Sequence, residues 1–282
     1  MAGRSLILAY HNVVPDHLQG LGDRSLHLPL SRFARQLDLI EAHCRVLPLA
    51  DLLAEGPFDD RPHIAITFDD AYRGAVELAM PELARRGLPS TLFVAPGLLG
   101  RQSLWWDDLA SGEEGLAAEL RLHALEAEEG RDDRIRARMG GHASDTGLPD
   151  SYGCASERQV HELSRSALVT LGAHSWSHPN LARIEHDALI DELTRPLAWL
   201  RATAGLALPI LAYPYGLTSP AVEIAAEQAG YTAALLVEGG WFTRLSGPWR
   251  VPRYNVPAGL SEDGFLLRLA GIIGASSNSP MR

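Results

Sequence analysis

The sequence predicts an α/β fold with parallel strands, and three observations carry that reading. Short apolar runs of strand length recur at residues 6–10, 64–68, 91–95, 168–171, 210–213 and 233–237. Segments with helical spacing of apolar residues lie between them. Turn-forming and polar residues then follow the runs at once, as His11-Asn12 follows the first and Asp69-Asp70 the second. Strand and helix alternating over most of a chain imply crossover connections, hence parallel strands with right-handed crossovers. The pattern by itself suits a closed barrel and an open sheet equally.

The helical segments have readable ends. Residues 33–43 place Phe33, Leu37 and Ile40 on one face, with Ser31 expected as the cap. Residues 75–86 stop at Gly87. A third helix is expected over 185–204. A fourth, over 220–229, has Ser219 as cap, Pro220 in the first helical position and Gly230 as stop. The stretch 98–156 breaks this rhythm and reads as an insertion on the catalytic face. It opens with Leu104-Trp105-Trp106-Asp107-Asp108, runs through a charged segment at 126–138 expected to be a solvated helix face, and is expected to be mobile over 140–153. One domain is expected over residues 1–275, with a disordered tail at 276–282.

Composition bounds the function. With 282 residues the length prior admits two domains, but (β/α) barrels use this much chain in one. A net charge of −10 argues against nucleic acid as a partner, because phosphate binding needs a basic face. Cys44 and Cys154 have no paired metal-like spacing, so a reducing compartment is the default. No apolar run approaches the roughly 20 residues of a transmembrane helix. The apolar start at 5–10 ends in Tyr-His and reads as the first strand, not a signal core. A cytoplasmic location is expected.

Two fragments carry the chemistry. Thr67-Phe68-Asp69-Asp70 sets adjacent carboxylates at the end of an apolar strand, where active-site groups commonly sit. His174-Ser175-Trp176-Ser177-His178 holds two imidazoles four residues apart, a spacing that brings both to one point on a helix or tight turn. Together they offer a carboxylate and two imidazoles for a divalent metal, with a second carboxylate free for proton transfer. A capping role for the Asp pair and ordinary packing roles for the histidines are the plain alternatives. Ser175 and Ser177 are expected to orient the imidazoles, and Trp176 to pack.

These fragments, with Tyr213-Pro214-Tyr215-Gly216 downstream, resemble the polysaccharide deacetylase family, carbohydrate esterase family four, over about residues 6–255. The resemblance implies an irregular (β/α)7 barrel. It also implies Asp69 as general base, Asp70, His174 and His178 as metal ligands, and the backbone N–H of Tyr215 as an oxyanion donor. Zinc is the default metal for such a ligand set, with cobalt or nickel able to substitute. Two departures matter. Many members carry an arginine two residues before the motif proline, where this chain has Ala212. Arg253 is the candidate replacement, against a reading as a surface arginine. Many members also use a C-terminal histidine as general acid, and no histidine follows His186 here. His11 is the candidate acid, against a role as pocket wall.

The expected activity is metal-dependent removal of an N-acyl group, acetyl first, from an amino-sugar-containing saccharide or sugar conjugate. Trp105 and Trp106 are candidates for stacking on a sugar, although one of two adjacent tryptophans is usually core. The alternatives are a deformylase or esterase on the same metal centre, and a catalytically inactive carbohydrate-binding relative.

Overall fold

Strands buried on both faces are what a parallel sheet wrapped in helices requires, and the apolar runs meet that demand. Every residue of Ser5–Tyr10, His63–Phe68 and Ser90–Val94 is buried. The computed structural model describes residues 5–55, 61–110, 118–138, 147–205, 208–242 and 247–271. In chain order the strands are β1 (Ser5–Tyr10), β2 (Asn12–Val14), β3 (His27–Pro29), β4 (Arg45–Val46), β5 (His63–Phe68), β6 (Ser90–Val94), β7 (Val169–Ala173), β8 (Ile210–Ala212), β9 (Ala233–Gly239), β10 (Trp241–Phe242) and β11 (Val251–Asn255). The α-helices are α1 (Leu30–His43), α2 (Leu49–Glu55), α3 (Met80–Arg86), α4 (Trp105–Leu109), α5 (Ala118–Glu126), α6 (Asp132–Arg138), α7 (Glu157–Leu163), α8 (His186–Ala204), α9 (Pro220–Ala229) and α10 (Glu262–Leu269).

Seven strands close into a barrel in the order β1-β5-β6-β7-β8-β9-β11 and back to β1, every pairing parallel. This is the (β/α)7 architecture expected. Short β4 extends β5, and β10 runs antiparallel to β1. The β1–β5 register pairs Ser5 with His63 through to Tyr10 with Phe68, so His11 and Asp69 leave the barrel as neighbours. The backbone N–H of Asp69 still donates to the Tyr10 carbonyl at 3.0 Å.

The sequence pattern supplied six of the seven barrel strands. The seventh, β11, carries Pro252 and Arg253 inside five residues, which breaks the apolar run that marks a strand. The Ser31 cap is corrected: α1 starts at Leu30, and the Ser31 backbone N–H is capped from outside by Asp16 Oδ1 at 2.9 Å. Ser219 and Gly230 bound α9 as expected. The helix expected over 75–86 opens as a π-helical turn, Ala75–Ala79, and ends at Gly87. Pro81 lacks the N–H that would close an ordinary turn there, and the widened turn accommodates it.

The insertion is helical in part, with α4, α5 and α6 among its described residues. Residues 126–138 form parts of two helices that turn at Glu129 and Gly130, both with positive φ. Glu126, Asp133, Arg134 and Arg138 are exposed, as a solvated helix face requires, but Asp132 is buried, binding Arg136 at 2.9 Å and Arg101 at 2.8 Å, and the half-buried Arg136 also binds the buried Asp108 at 2.6 Å. The segment expected to be mobile divides in two. Residues 139–146 lie outside the described residues, as does the tail at 276–282, whereas Tyr152 is fully buried and Cys154 forms a bridge to Tyr72.

Gly74 marks where β2 presses on the π-helical turn. A Cβ there would lie 2.2 Å from the Val13 carbonyl oxygen and 2.5 Å from Asn12 Oδ1. Gly74→Ala is expected to cost about 1–3 kcal/mol through overpacking, read as a lower urea midpoint at constant m-value. An unchanged midpoint would show that β2 yields without cost.

Candidate active site

The site is assembled at the C-terminal ends of the barrel strands, where loops of different strands converge. β1 delivers His11, β5 delivers Asp69 and Asp70, β7 delivers the histidine loop, β8 the Tyr213–Gly216 turn, and β11 delivers Arg253 and Asn255. A cavity of about 360 Å³ opens among them. The insertion adds Trp106, Arg121 and Leu125 to its wall, β9 adds Val237 and Glu238, and the segment before β3 adds Ser25 and Leu26. A second cavity, of about 560 Å³, lies where β8, β9 and β11 begin, and among the described residues no titratable side chain lines it.

Adjacent aspartates reach different partners because the backbone turns between them. Asp70 and Ala71 both have left-handed φ, 68° and 51°. That conformation costs about 1–2 kcal/mol at a residue such as Ala. The turn is held from outside, the Ala71 carbonyl accepting the Ala155 N–H at 2.9 Å. Asp69 thereby faces across the barrel, and Asp70 faces the histidine loop.

Asp69 meets Arg253 in a two-pronged ion pair, Nη1 to Oδ1 at 2.8 Å and Nη2 to Oδ2 at 2.6 Å. The guanidinium also donates to the Leu236 carbonyl at 2.6 Å and to Thr67 Oγ1 at 3.1 Å. Arg253 has no exposed surface, so the reading as a surface arginine does not hold. Burial pushes the Asp69 carboxyl up, but Arg253 and His174 outweigh it and hold the group below the usual carboxylate range. Ala212, in the position where an arginine was missed, serves otherwise. Its carbonyl accepts from His174 Nδ1 at 2.7 Å.

The histidine loop is a tight turn, with positive φ at Ser175 and His178. Glu192 on α8 anchors it. Its Oε2 accepts the Trp176 and Ser177 backbone N–H groups at 2.8 Å each, and its Oε1 accepts the Ser177 hydroxyl at 2.6 Å. The expectation that Ser175 and Ser177 orient the imidazoles is corrected: Ser175 Oγ accepts the backbone N–H of His178 at 2.9 Å, and Ser177 bonds Glu192. Trp176 packs beneath Arg195, as expected.

Because His174 Nδ1 carries its proton toward Ala212, Nε2 presents a lone pair. That Nε2 lies 3.1 Å from His178 Nε2, and Asp70 Oδ1 lies 3.4 and 3.2 Å from the two nitrogens. Ligands about 2.0–2.1 Å from a tetrahedral ion stand about 3.3 Å apart. Three buried acceptors in such a triangle repel one another unless a cation lies between them, so the residues fit a divalent metal. Burial pushes the Asp70 carboxyl up, yet His178 and His174 hold it well below its ordinary range. The same environment splits the imidazoles. Burial lowers both, but Asp69 and Asp70 carry His174 above its ordinary value while His178 stays below.

Tyr215 has φ 59° inside the Pro214–Gly216 turn, which directs its ring into the cavity. Its hydroxyl accepts from Trp105 Nε1 and donates to the Gly130 carbonyl, each at 3.1 Å. Gly130 is required there, since a Cβ would meet Tyr215 Cε2 at 2.8 Å. His11 is half-buried on the cavity wall. Burial lowers its pKa, only partly opposed by Asp70 and Asp69. Trp105 and Trp106 are both buried, and only Trp106 lines the cavity. Glu192 and the Ala212 carbonyl were missed from sequence, for nothing in a helix glutamate or a strand carbonyl marks it as a site component.

Removing Arg253 leaves a buried carboxylate without its cation, a loss of about 3–5 kcal/mol. Arg253→Ala is expected to lower stability by that amount and to reduce turnover while metal content stays at the wild-type level. Arg253→Lys should restore only part of the turnover, because an ammonium cannot span both oxygens. Wild-type turnover and pH profile in Arg253→Ala would dissociate the pair from catalysis.

Comparison with known proteins agrees with this geometry. The family model described as Polysaccharide deacetylase matches residues 58–234. Among solved structures, the Streptococcus pyogenes deacetylase PplD in complex with acetate superposes with a TM-score of 0.67 at 15% identity, covering 95% of this chain and 99% of that one. IcaB from Ammonifex degensii gives 0.66 at 19% identity, covering 95% and 97%. A de-N-acetylase from Aggregatibacter actinomycetemcomitans gives 0.64 at 16%, covering 94% and 99%. A search of curated proteins finds no match. With the carboxylate pair, the histidine loop and the seven-stranded barrel in place, and a family model spanning more than half its length, the chain belongs to the polysaccharide deacetylase family.

Proposed function

We propose that this metal-dependent amide hydrolase removes the N-acetyl group of an amino sugar, with zinc held by Asp70, His174 and His178. The observation that carries the reading is the pairing of a three-acceptor metal triangle with a separate carboxylate, Asp69, clamped beside it by Arg253. A binding protein has no use for the second carboxylate. A divalent ion at the triangle supplies a Lewis acid that polarises the acyl carbonyl and makes water more acidic.

The remaining work falls to the chain's own groups. Asp69 accepts the proton of the attacking water. Arg253 occupies one lone pair on each oxygen, which fixes the carboxylate plane and keeps it ionised, at the expense of some basicity. The backbone N–H of Tyr215 donates to the oxyanion of the tetrahedral adduct. His11, beside Asp69 on the neighbouring strand end, gives a proton to the nitrogen as the C–N bond breaks. Acetyl as the acyl group is supported by the acetate complex of the similar PplD. A cavity of about 360 Å³ lies near the small end of ligand pockets, which favours one sugar unit or a small conjugate over the interior of a long polymer. A reducing, cytoplasmic setting belongs to the proposal, supported by the two buried free thiols Cys44 and Cys154.

Acetate and formate release from chitooligosaccharides and nucleotide sugars, by metal-free protein and after addition of zinc, cobalt or nickel, tests the reading. Acetate should appear only with metal. Formate as the product, or acetate release undiminished after metal removal, would overturn it.

Two substitutions separate the neighbouring aspartates. Asp69→Asn should keep the metal and lose about 10²–10⁴-fold in turnover, whereas Asp70→Asn should weaken metal binding itself. Equal metal loss in both would show the roles to be wrongly divided. His11→Ala should damage amide cleavage far more than cleavage of an activated ester, since an alkoxide leaves unprotonated more readily than an amine anion. An equal loss on both substrates would make His11 a wall residue.

A further inference from the structure

Of the three ligands, His174 is oriented by its bond to the Ala212 carbonyl. His178 has no such bond: its Nδ1 is buried and without a hydrogen-bond partner among the described residues. A metal-binding imidazole ordinarily needs a partner at that nitrogen to hold its ring plane. Two aromatic rings stand in its place. Tyr215 lies 4.5 Å from the imidazole centre at 80°, and Trp106 lies 5.0 Å away at 47°.

Trp106 is itself fixed by a directed chain of buried hydrogen bonds. Its indole N–H donates to the Tyr72 hydroxyl at 2.7 Å, and that hydroxyl donates to Asp107 Oδ2 at 2.7 Å. The fully buried Asp107 also accepts His27 Nε2 at 2.7 Å and the Asp23 backbone N–H at 2.9 Å through Oδ1. His27 Nδ1 takes the amide hydrogen of Asn12 at 3.0 Å. An indole only donates and a carboxylate only accepts, so the direction of every link is determined. The chain of bonds joins the insertion, through Trp106 and Asp107, to the residue after His11 and to the second residue after Asp70.

We propose that Asp107, acting through Tyr72 and Trp106, is the positioning residue for His178, and that this network sets the affinity of the site for its metal. The inference rests on the metal reading above. It explains why the insertion sits against the barrel here, since it steadies a ligand whose own loop offers the ring no partner.

Tyr72→Phe keeps the ring and deletes only the link between Trp106 and Asp107. Trp106→Leu deletes the wall. Zinc affinity and the visible spectrum of the cobalt-substituted protein are measured for each against wild type, with circular dichroism to establish folding. Phe265→Ala, a core truncation on α10, controls for lost stability. We expect zinc dissociation constants raised about 10–100-fold in Tyr72→Phe and Trp106→Leu, with an altered cobalt spectrum, and wild-type values in Phe265→Ala. Should either site variant fail to fold, Asp107→Asn carries the same expectation. Wild-type affinity and spectrum in folded Tyr72→Phe and Trp106→Leu would reduce the network to a structural role and overturn the inference alone. A wild-type protein that binds no metal overturns it together with the metal reading.

Discussion

A guanidinium with no solvent exposure facing a nearly buried carboxylate is the constraint around which the rest of the barrel is arranged. Such a pair is tolerable only if its remaining polar atoms are satisfied, and the fold supplies partners from β9 and β5. An advance of two positions along β11, Val251 to Arg253, matches an advance of four along β9, Leu235 to Gly239, so the ladder bulges there. The bulge takes the Leu236 carbonyl out of regular pairing and gives it to Arg253 Nε. Thr67 Oγ1, which donates to the Leu8 carbonyl on β1, accepts from Arg253 in turn. One ion pair thus ties β5, β9, β11 and β1 together at the seam where the barrel closes.

The second organising feature is the left-handed turn at Asp70 and Ala71. Identical neighbouring side chains acquire different partners because the chain reverses between them. Asp69 is neutralised by a fixed cation of the protein, whereas Asp70 joins two imidazoles in a triangle that fits a divalent ion.

What was legible in the sequence follows from what leaves a local trace. Apolar runs disclosed six barrel strands, and the pairs Asp69-Asp70 and His174 with His178 stood out because two chemically matched groups sat at fixed spacing. Arg253 was reachable only through a missing arginine at Ala212. The strand bearing it was hidden, since Pro252 and a buried charge erase the pattern of a strand. The Ala212 carbonyl, Glu192 and the Asp107 network left no trace, because each acts across distant chain segments that only the closed barrel brings together. The charge at 132 misled for a related reason: paired and buried against Arg101 and Arg136, it looks in sequence like part of a solvated face.

The position of β11 also bears on how the molecule comes into being. The metal triangle draws on β5 and β7, which are bridged by β6, so residues 63–178 contain its three ligands, whereas Glu192 and Ala212, which hold the histidine loop and His174, come after them. The clamp on Asp69 needs β11, which enters beside β1 near the end of the chain. Contacts of such long sequence separation form late, after the entropy of closing the loop has been met. During synthesis the three acceptors are therefore all present before Arg253 is made, and Asp69 gains its guanidinium partner only with the last barrel strand.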